Sequence, residues 1–294
     1  MTALHRGYPD IRPHELVAHL LRHTGQSGRR SVDTRSLLDY LKLTHARFSF
    51  GRELPGEVKK GCPGGTPRAL LSLPDRLVAT DSSLDECATR WSLLHEMAHY
   101  VLPGHDHAVY VCDDAGLGAA SRLVMEREAN ELAADLLFLG DTFTTEANSR
   151  AVSAATVRDL ALKYMASCEA AARRLVQKSF RPAMLAVFHR QEDAPGAGDP
   201  SSPKWTVRCC VASPGFQSRH YARIRGAAPP EAVSAVTAPG RDIADSYLAE
   251  VRIPHPPDTE AVFRAEYFSS GHDIFCLLLP SGGNARRRPP SSGS

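Results

Sequence analysis

Residues 95–99 read HEMAH, two histidines four apart with a glutamate between them, inside the helical run RWSLLHEMAHYVL. At about 100° per residue the two imidazoles stand about 40° apart on one helix face, where both can bind a single tetrahedral Zn2+. A chain built around this pattern needs a rigid helix, a third protein ligand from another element, and a carboxylate near the metal that does not bind it. Glu96, on the adjoining face, suits the last role as a general base that takes a proton from water attacking a carbonyl.

The third ligand is sought downstream, where SRLVMEREANELAADLLFL (121–139) offers Glu126, Glu128, Glu131 and Asp135. Helical projection sets Glu126 within the apolar arc of Leu123, Ala129, Leu132, Ala133, Leu136 and Leu137, with the other three carboxylates on the opposite, solvated face. A carboxylate on an apolar face is costly unless it is paired or bound to a metal, which selects Glu126. Asn130, one turn later and also inward, is the candidate to orient it. The spacing therefore assigns His95, His99 and Glu126 to the metal and Glu96 to proton transfer, leaving an open fourth position for water. Spacing does not identify the donor for the developing oxyanion; His105, His107, His220 and Tyr221 are the candidates.

Elsewhere, apolar spacing predicts two short opening helices, over 13–24 and 34–43, and the composition between Arg47 and Thr80 predicts a small sheet. Helices are expected over 87–102 and 121–139, then a helical pair over 152–178 with a break near Ala166 and Ser167. AMLAVFHR, KWTVRCCVA, YARIR, EAVFRAEYF and DIFCLLLP read as strands. The expected organisation is α+β: a metallopeptidase domain over 1–150, a helical unit over 151–180, a sheet domain over 181–282, and a disordered tail over 283–294.

Thirty-five Lys and Arg against 33 Asp and Glu leave a net charge of +2, too balanced for general attraction to nucleic acid or anionic lipid. No basic segment followed by an apolar stretch opens the sequence, and no run approaches about 18 apolar residues, so neither secretion nor a membrane span is expected. Seven cysteines without a CxxC pair fit a reducing cytoplasm.

RWSLLHEMAH and EREANELAADLL resemble the ImmA/IrrE family of metallopeptidases, whose pattern is HExxH followed by ExxAN and a Leu pair. The resemblance carries the family's two histidine ligands, glutamate base and later glutamate ligand onto His95, His99, Glu96 and Glu126, the four residues that spacing and projection select. It implies a zincin-like domain with the HExxH helix beside a small sheet, and Zn2+ as cofactor, with Mn2+ as the second candidate ion. Phe138 departs from the pattern, since the family commonly has proline after the Leu pair. More weakly, WTVRCCVASPGFQSRHYARI, RDIADSY and IFCLLLPSGG resemble the C-terminal domain of the IrrE branch, which controls radiation and desiccation responses in Deinococcus-like bacteria. That likeness implies a helix-turn-helix-like segment and a GAF-like sensory domain after the peptidase.

The implied activity is site-specific cleavage of a helix-turn-helix-class repressor, which would derepress a DNA-damage stress response. Two other functions fit the same residues. In one, 156–177 is a DNA-binding helix-turn-helix with Arg158, Lys163, Arg173 and Arg174 as its basic residues, and the peptidase fold is vestigial or sensory. In the other, an ImmA-type peptidase controls a mobile element or a toxin system.

Overall fold

The computed structural model describes residues 13–53, 67–105, 119–191, 204–220, 224, 226–255, 259–281 and 286–287. The chain divides into two compact units, Met1–Phe143 with Lys163–Ser167, and Thr144–Leu162 with Cys168–Ser294.

The first unit runs α1 (Pro13–His23), α2 (Thr34–Leu41), β1 (Thr44–Phe48), α3 (Phe50–Glu53), β2 (Ala69–Ser72), β3 (Leu77–Asp81), α4 (Glu86–Val101) and α5 (Ala119–Leu137). Its three-stranded sheet has the order β1-β3-β2, with β1 parallel and β2 antiparallel to the central β3. Val78 and Thr80 of β3 are fully buried, and the Thr80 hydroxyl lies 2.8 Å from His45 Nε2 on β1. Asp81 ends the strand as a buried carboxylate that accepts from the Phe50 and Ser83 backbone N–H groups and the Ser83 hydroxyl. Those bonds fix the turn that delivers the chain to α4.

Asp85 starts α4, its side chain accepting from the Ala88 N–H at 2.7 Å and so satisfying one of the first-turn donors. The helix packs against β2 and β3 on one side and α5 on another. Ser92, Leu93, Leu94, Met97, Ala98, His99 and Val101 are accordingly buried around most of its circumference. On α5 the buried stripe is Met125, Ala129, Leu132, Ala133, Leu136 and Leu137. Leu123, which projection placed in the same arc, is 72% exposed, and Val124 beside it is 43% exposed. Period alone does not bury a residue; the packed stripe begins only at Met125.

The C-terminal end of α5 departs from simple turn chemistry. Leu139 and Gly140 both have positive φ, +56° and +59°, and the Gly140 N–H bonds back to the Asp135 carbonyl at 2.7 Å. Leu139 is nonetheless buried. Phe138, at the position where the resemblance expects proline, packs its ring against Phe143 and Tyr164 in tilted contacts at centroid distances of 4.6 and 5.4 Å.

Helix α6 (Asp141–Ser149) spans the division at Phe143. The second unit continues with α7 (Ala154–Tyr164), α8 (Cys168–Lys178), β4 (Met184–Arg190), β5 (Trp205–Ala212), α9 (Pro214–Gln217), α10 (Pro230–Val236), β6 (Tyr247–His255), β7 (Thr259–Ser269), β8 (Asp273–Pro280) and β9 (Arg286–Arg287). The sheet order is β5-β4-β8-β7-β6, all neighbours antiparallel, with β9 paired to β7. Met184–Phe188 and Ile274–Leu278 are buried without alternation, as strands covered on both faces must be.

One face carries Ala186, Phe188, Phe263, Tyr267 and Cys276 under Ala232 and Val236 of α10. The other face meets α8: Arg173 lies 2.9 Å from Cys209 Sγ, and Cys209 is in register with Val187, which points away from the Ala186 face. Glu266 is buried on β7 and accepts from the Ala154 N–H at the start of α7 at 3.1 Å, where the helix dipole favours a carboxylate.

Strand β6 was not anticipated, and most of YARIR (221–223 and 225) lies outside the described residues. Within the tail expected to be disordered, Arg286 and Arg287 pair with Glu260 and Thr259.

Because Asp85 caps the helix that carries the histidines, Asp85→Ala is expected to cost about 1 kcal/mol of stability, and Asp85→Asn much less. Thermal melting of the metal-free chain measures the difference.

Candidate metal centre

Helix α4 presents His95 and His99 one turn apart, and α5 brings Glu126 against them. The two Nε2 atoms are 3.1 Å apart, Glu126 Oε2 is 3.3 Å from His95 Nε2, and Glu126 Oε1 is 3.5 Å from His99 Nε2. Ligand atoms held at about 2.0–2.1 Å around a tetrahedral ion are about 3.3 Å from one another, so this spacing fits a single Zn2+. Among the described residues this is the one group of three or more His, Cys, Asp and Glu able to hold a metal ion.

The protonation of the site follows from its packing. The hydrogen bond from His95, with the His99 imidazole close by, holds the Glu126 carboxyl far below the usual carboxylate range, against the opposing effect of burial. Burial disfavours charge on His95, but its hydrogen bond to Glu126 and the negative charges of Glu96 and Glu126 outweigh burial and raise the imidazole pKa. Glu96, partly buried on α4, is raised chiefly by burial, and His95 and His99 oppose that rise. A raised carboxyl near a cation site suits proton exchange with water.

Several residues are placed differently from the sequence expectations. The Glu126 side chain is 45% exposed and does not lie sealed in the core; it borders the centre from the rim of the helix pair. Asn130, expected to face inward, is exposed and lies beside the His95 imidazole. The Nδ1 atom of His95 is buried and makes no hydrogen bond with the described residues.

Glu128, assigned to the solvated face, is 50% exposed but its Oε2 sits 3.2 Å from Nε2 of His105, which is only 1% exposed. His105 Nδ1 lies 2.9 Å from His99 Nδ1, so both of its ring nitrogens are engaged and neither is left for a substrate oxyanion. His220 packs its ring against Phe216 and Phe263 in the second unit, at centroid distances of 5.0 and 5.2 Å. His107 and Tyr221 lie outside the described residues. Sequence reasoning missed the pairing of Glu128 with His105. Its only trace was the Pro-Gly-His turn that follows α4.

The arginines of the helical pair are engaged within the second unit or buried. Arg158 pairs with Asp159 and Asp242 at 3.1 and 3.3 Å, Arg173 with Glu169 at 2.8 Å, and Arg174 is buried. Lys163 lies over the Tyr164 ring, 5.3 Å from its centroid. Among the described residues, no helix is long and apolar enough to cross a membrane.

Metal-linked stability should vary with pH in a defined direction. His95 has a folded-state pKa above its ordinary 6.5, so its proton-linked stabilisation of the metal-free chain is complete below that value and is lost as pH rises through the raised one. Glu126 acts oppositely, stabilising above its ordinary 4.5 and losing that contribution as pH falls. Metal uptake displaces the His95 proton. The gap in melting temperature between zinc-loaded and chelator-treated protein should therefore widen from about pH 6 to about pH 8; a constant gap would contradict this linkage.

Residues 65–176 match the family model of the IrrE N-terminal-like domain, a peptidase family, and the match covers α4 and α5 with all three candidate ligands. Among solved structures, the chain is similar to a Mycobacterium tuberculosis transcriptional regulator, with a TM-score of 0.54 and 15% identity over 91% of this chain and 76% of that one. At that identity the likeness is one of fold. A search of curated proteins gave no match. The matched segment points to a peptidase of the ImmA/IrrE type, with His95, His99 and Glu126 able to form its metal site.

Proposed function

We propose that this protein is a zinc-dependent, site-specific protease that cleaves a helix-turn-helix-class repressor and so releases a stress response. The observation that carries the reading is the cluster of two imidazoles and one carboxylate at tetrahedral spacing, with Glu96 beside it. Bound there, Zn2+ would lower the pKa of water and polarise the scissile carbonyl. His95 and His99 supply neutral nitrogen ligands, and Glu126 supplies the negative charge that favours a dication over the proton it replaces. Glu96 takes the proton of the attacking water and returns it to the departing amine.

Restricted specificity is supported by the family match and by the solved structure of similar fold, which is described as a transcriptional regulator. The second unit is read as a GAF-like modulatory domain, and its antiparallel sheet with helices on both faces supports a separate folded module. The DNA-binding alternative is weakened by the engagement or burial of the helical pair's cations, since phosphate contacts need arginines that can turn outward.

Glu96→Gln keeps the helix and the ligands but removes the base, so it should retain zinc and repressor binding and lose at least about a hundredfold in cleavage rate. Glu126→Ala should lose the metal itself. Metal analysis alongside cleavage of candidate repressors tests both; a purified zinc-loaded protein that digests casein as readily as any repressor would refute the specificity.

A further inference from the structure

We propose that His105 and Glu128 are positioning residues: a one-way hydrogen-bond chain, Glu128 to His105 to His99, fixes the tautomer in which His99 Nε2 offers its lone pair to the metal. The inference rests on the metal reading above and assigns a role to two residues that the proposed chemistry does not use.

For neutral imidazoles the proton count leaves one consistent arrangement. Glu128 is half exposed and, as a carboxylate, can only accept, so His105 Nε2, 3.2 Å away, carries a hydrogen and donates it. A neutral imidazole with hydrogen on Nε2 has a bare Nδ1, which must accept across its 2.9 Å contact with His99 Nδ1. His99 therefore carries its hydrogen on Nδ1, and its Nε2 is bare and directed at His95 Nε2 and Glu126 Oε1. Reversing any link would bring two hydrogens, or two lone pairs, face to face in a buried contact, which is costly.

Local backbone geometry explains how a residue six positions beyond His99 comes to lie beneath it. Leu102 leaves the helix in extended conformation, and Gly104 takes φ +77°, a region that a side chain strains. The chain thereby turns back, and the His105 N–H reaches the Leu102 carbonyl at 3.5 Å. The Glu128 carboxylate then comes from α5, two residues beyond Glu126, so the same helix contributes the metal's carboxylate and the anchor of the chain that orients His99. Outer partners of this kind typically change metal affinity by about 10–100-fold when removed.

The test is zinc affinity of the full-length chain, measured by competition with a chromophoric chelator, together with imidazole nitrogen NMR of the metal-free protein. His105→Phe should weaken zinc about 10–100-fold, and Glu128→Gln should weaken it by a smaller factor, because an amide can donate to His105 and reverse the chain. His105→Asn sets an amide oxygen near the lost Nδ1 and should recover most of the affinity. In the unmodified protein the spectra should show hydrogen on His105 Nε2 and His99 Nδ1, and Glu128→Gln should mix the tautomers.

Unchanged affinity in both His105→Phe and Glu128→Gln would overturn the proposal, as would an equal loss in His105→Asn and His105→Phe, which would mark a packing role. If the unmodified chain takes up no zinc, the metal reading falls by itself. The tautomers still decide the chain, and hydrogen on His105 Nδ1 would refute it.

Discussion

Everything at the centre depends on holding two imidazoles and a carboxylate closer together than free side chains would stay. Three Lewis-basic groups within 3.5 Å of one another leave little room for separate hydration, and only a shared proton or cation satisfies them together. The cost is met by the helix pair: Leu93, Leu94, Met97 and Ala98 on α4, and Ala129, Leu132, Ala133 and Leu136 on α5, are all buried. At roughly 1.5–3 kcal/mol for each large apolar side chain, their burial outweighs the loss of a few polar contacts to water.

The rest of the first unit serves that approach. Asp81 and Asp85 determine where the chain leaves β3 and where α4 begins. The sheet covers one side of the helix and leaves another for α5. His95 and His99 therefore sit on a helix immobilised from two directions, the preorganisation that a metal site with an open coordination position needs.

Periodicity made α4, α5 and both short opening helices legible in the sequence, because each has an apolar stripe long enough to be read without knowing its partner. The same method failed at Leu123 and overestimated the burial of Glu126, since projection reports direction around a helix and says nothing of where its neighbour ends. Glu128 illustrates the converse. A carboxylate on a polar face reads as solvated, and only the left-handed turn at Gly104 brings a buried histidine to it. Strand β6 was missed although its alternation is plain, with Tyr247, Ala249, Val251 and Ile253 toward the core and Leu248, Glu250 and Arg252 exposed; Pro254 near its end reads against a strand, and pairing with β7 holds it in the sheet.

Leu139 shows a different balance at the far end of α5. A leucine at φ +56° carries about 1–2 kcal/mol of backbone strain, comparable to what burying its side chain returns. Local preference and global packing disagree there, so the helix stop is enforced from outside the segment that contains it. An isolated peptide spanning α5 would not be expected to end where the protein does. The register of the carboxylates with the histidines is thus a property of the assembled unit and not of α5 alone.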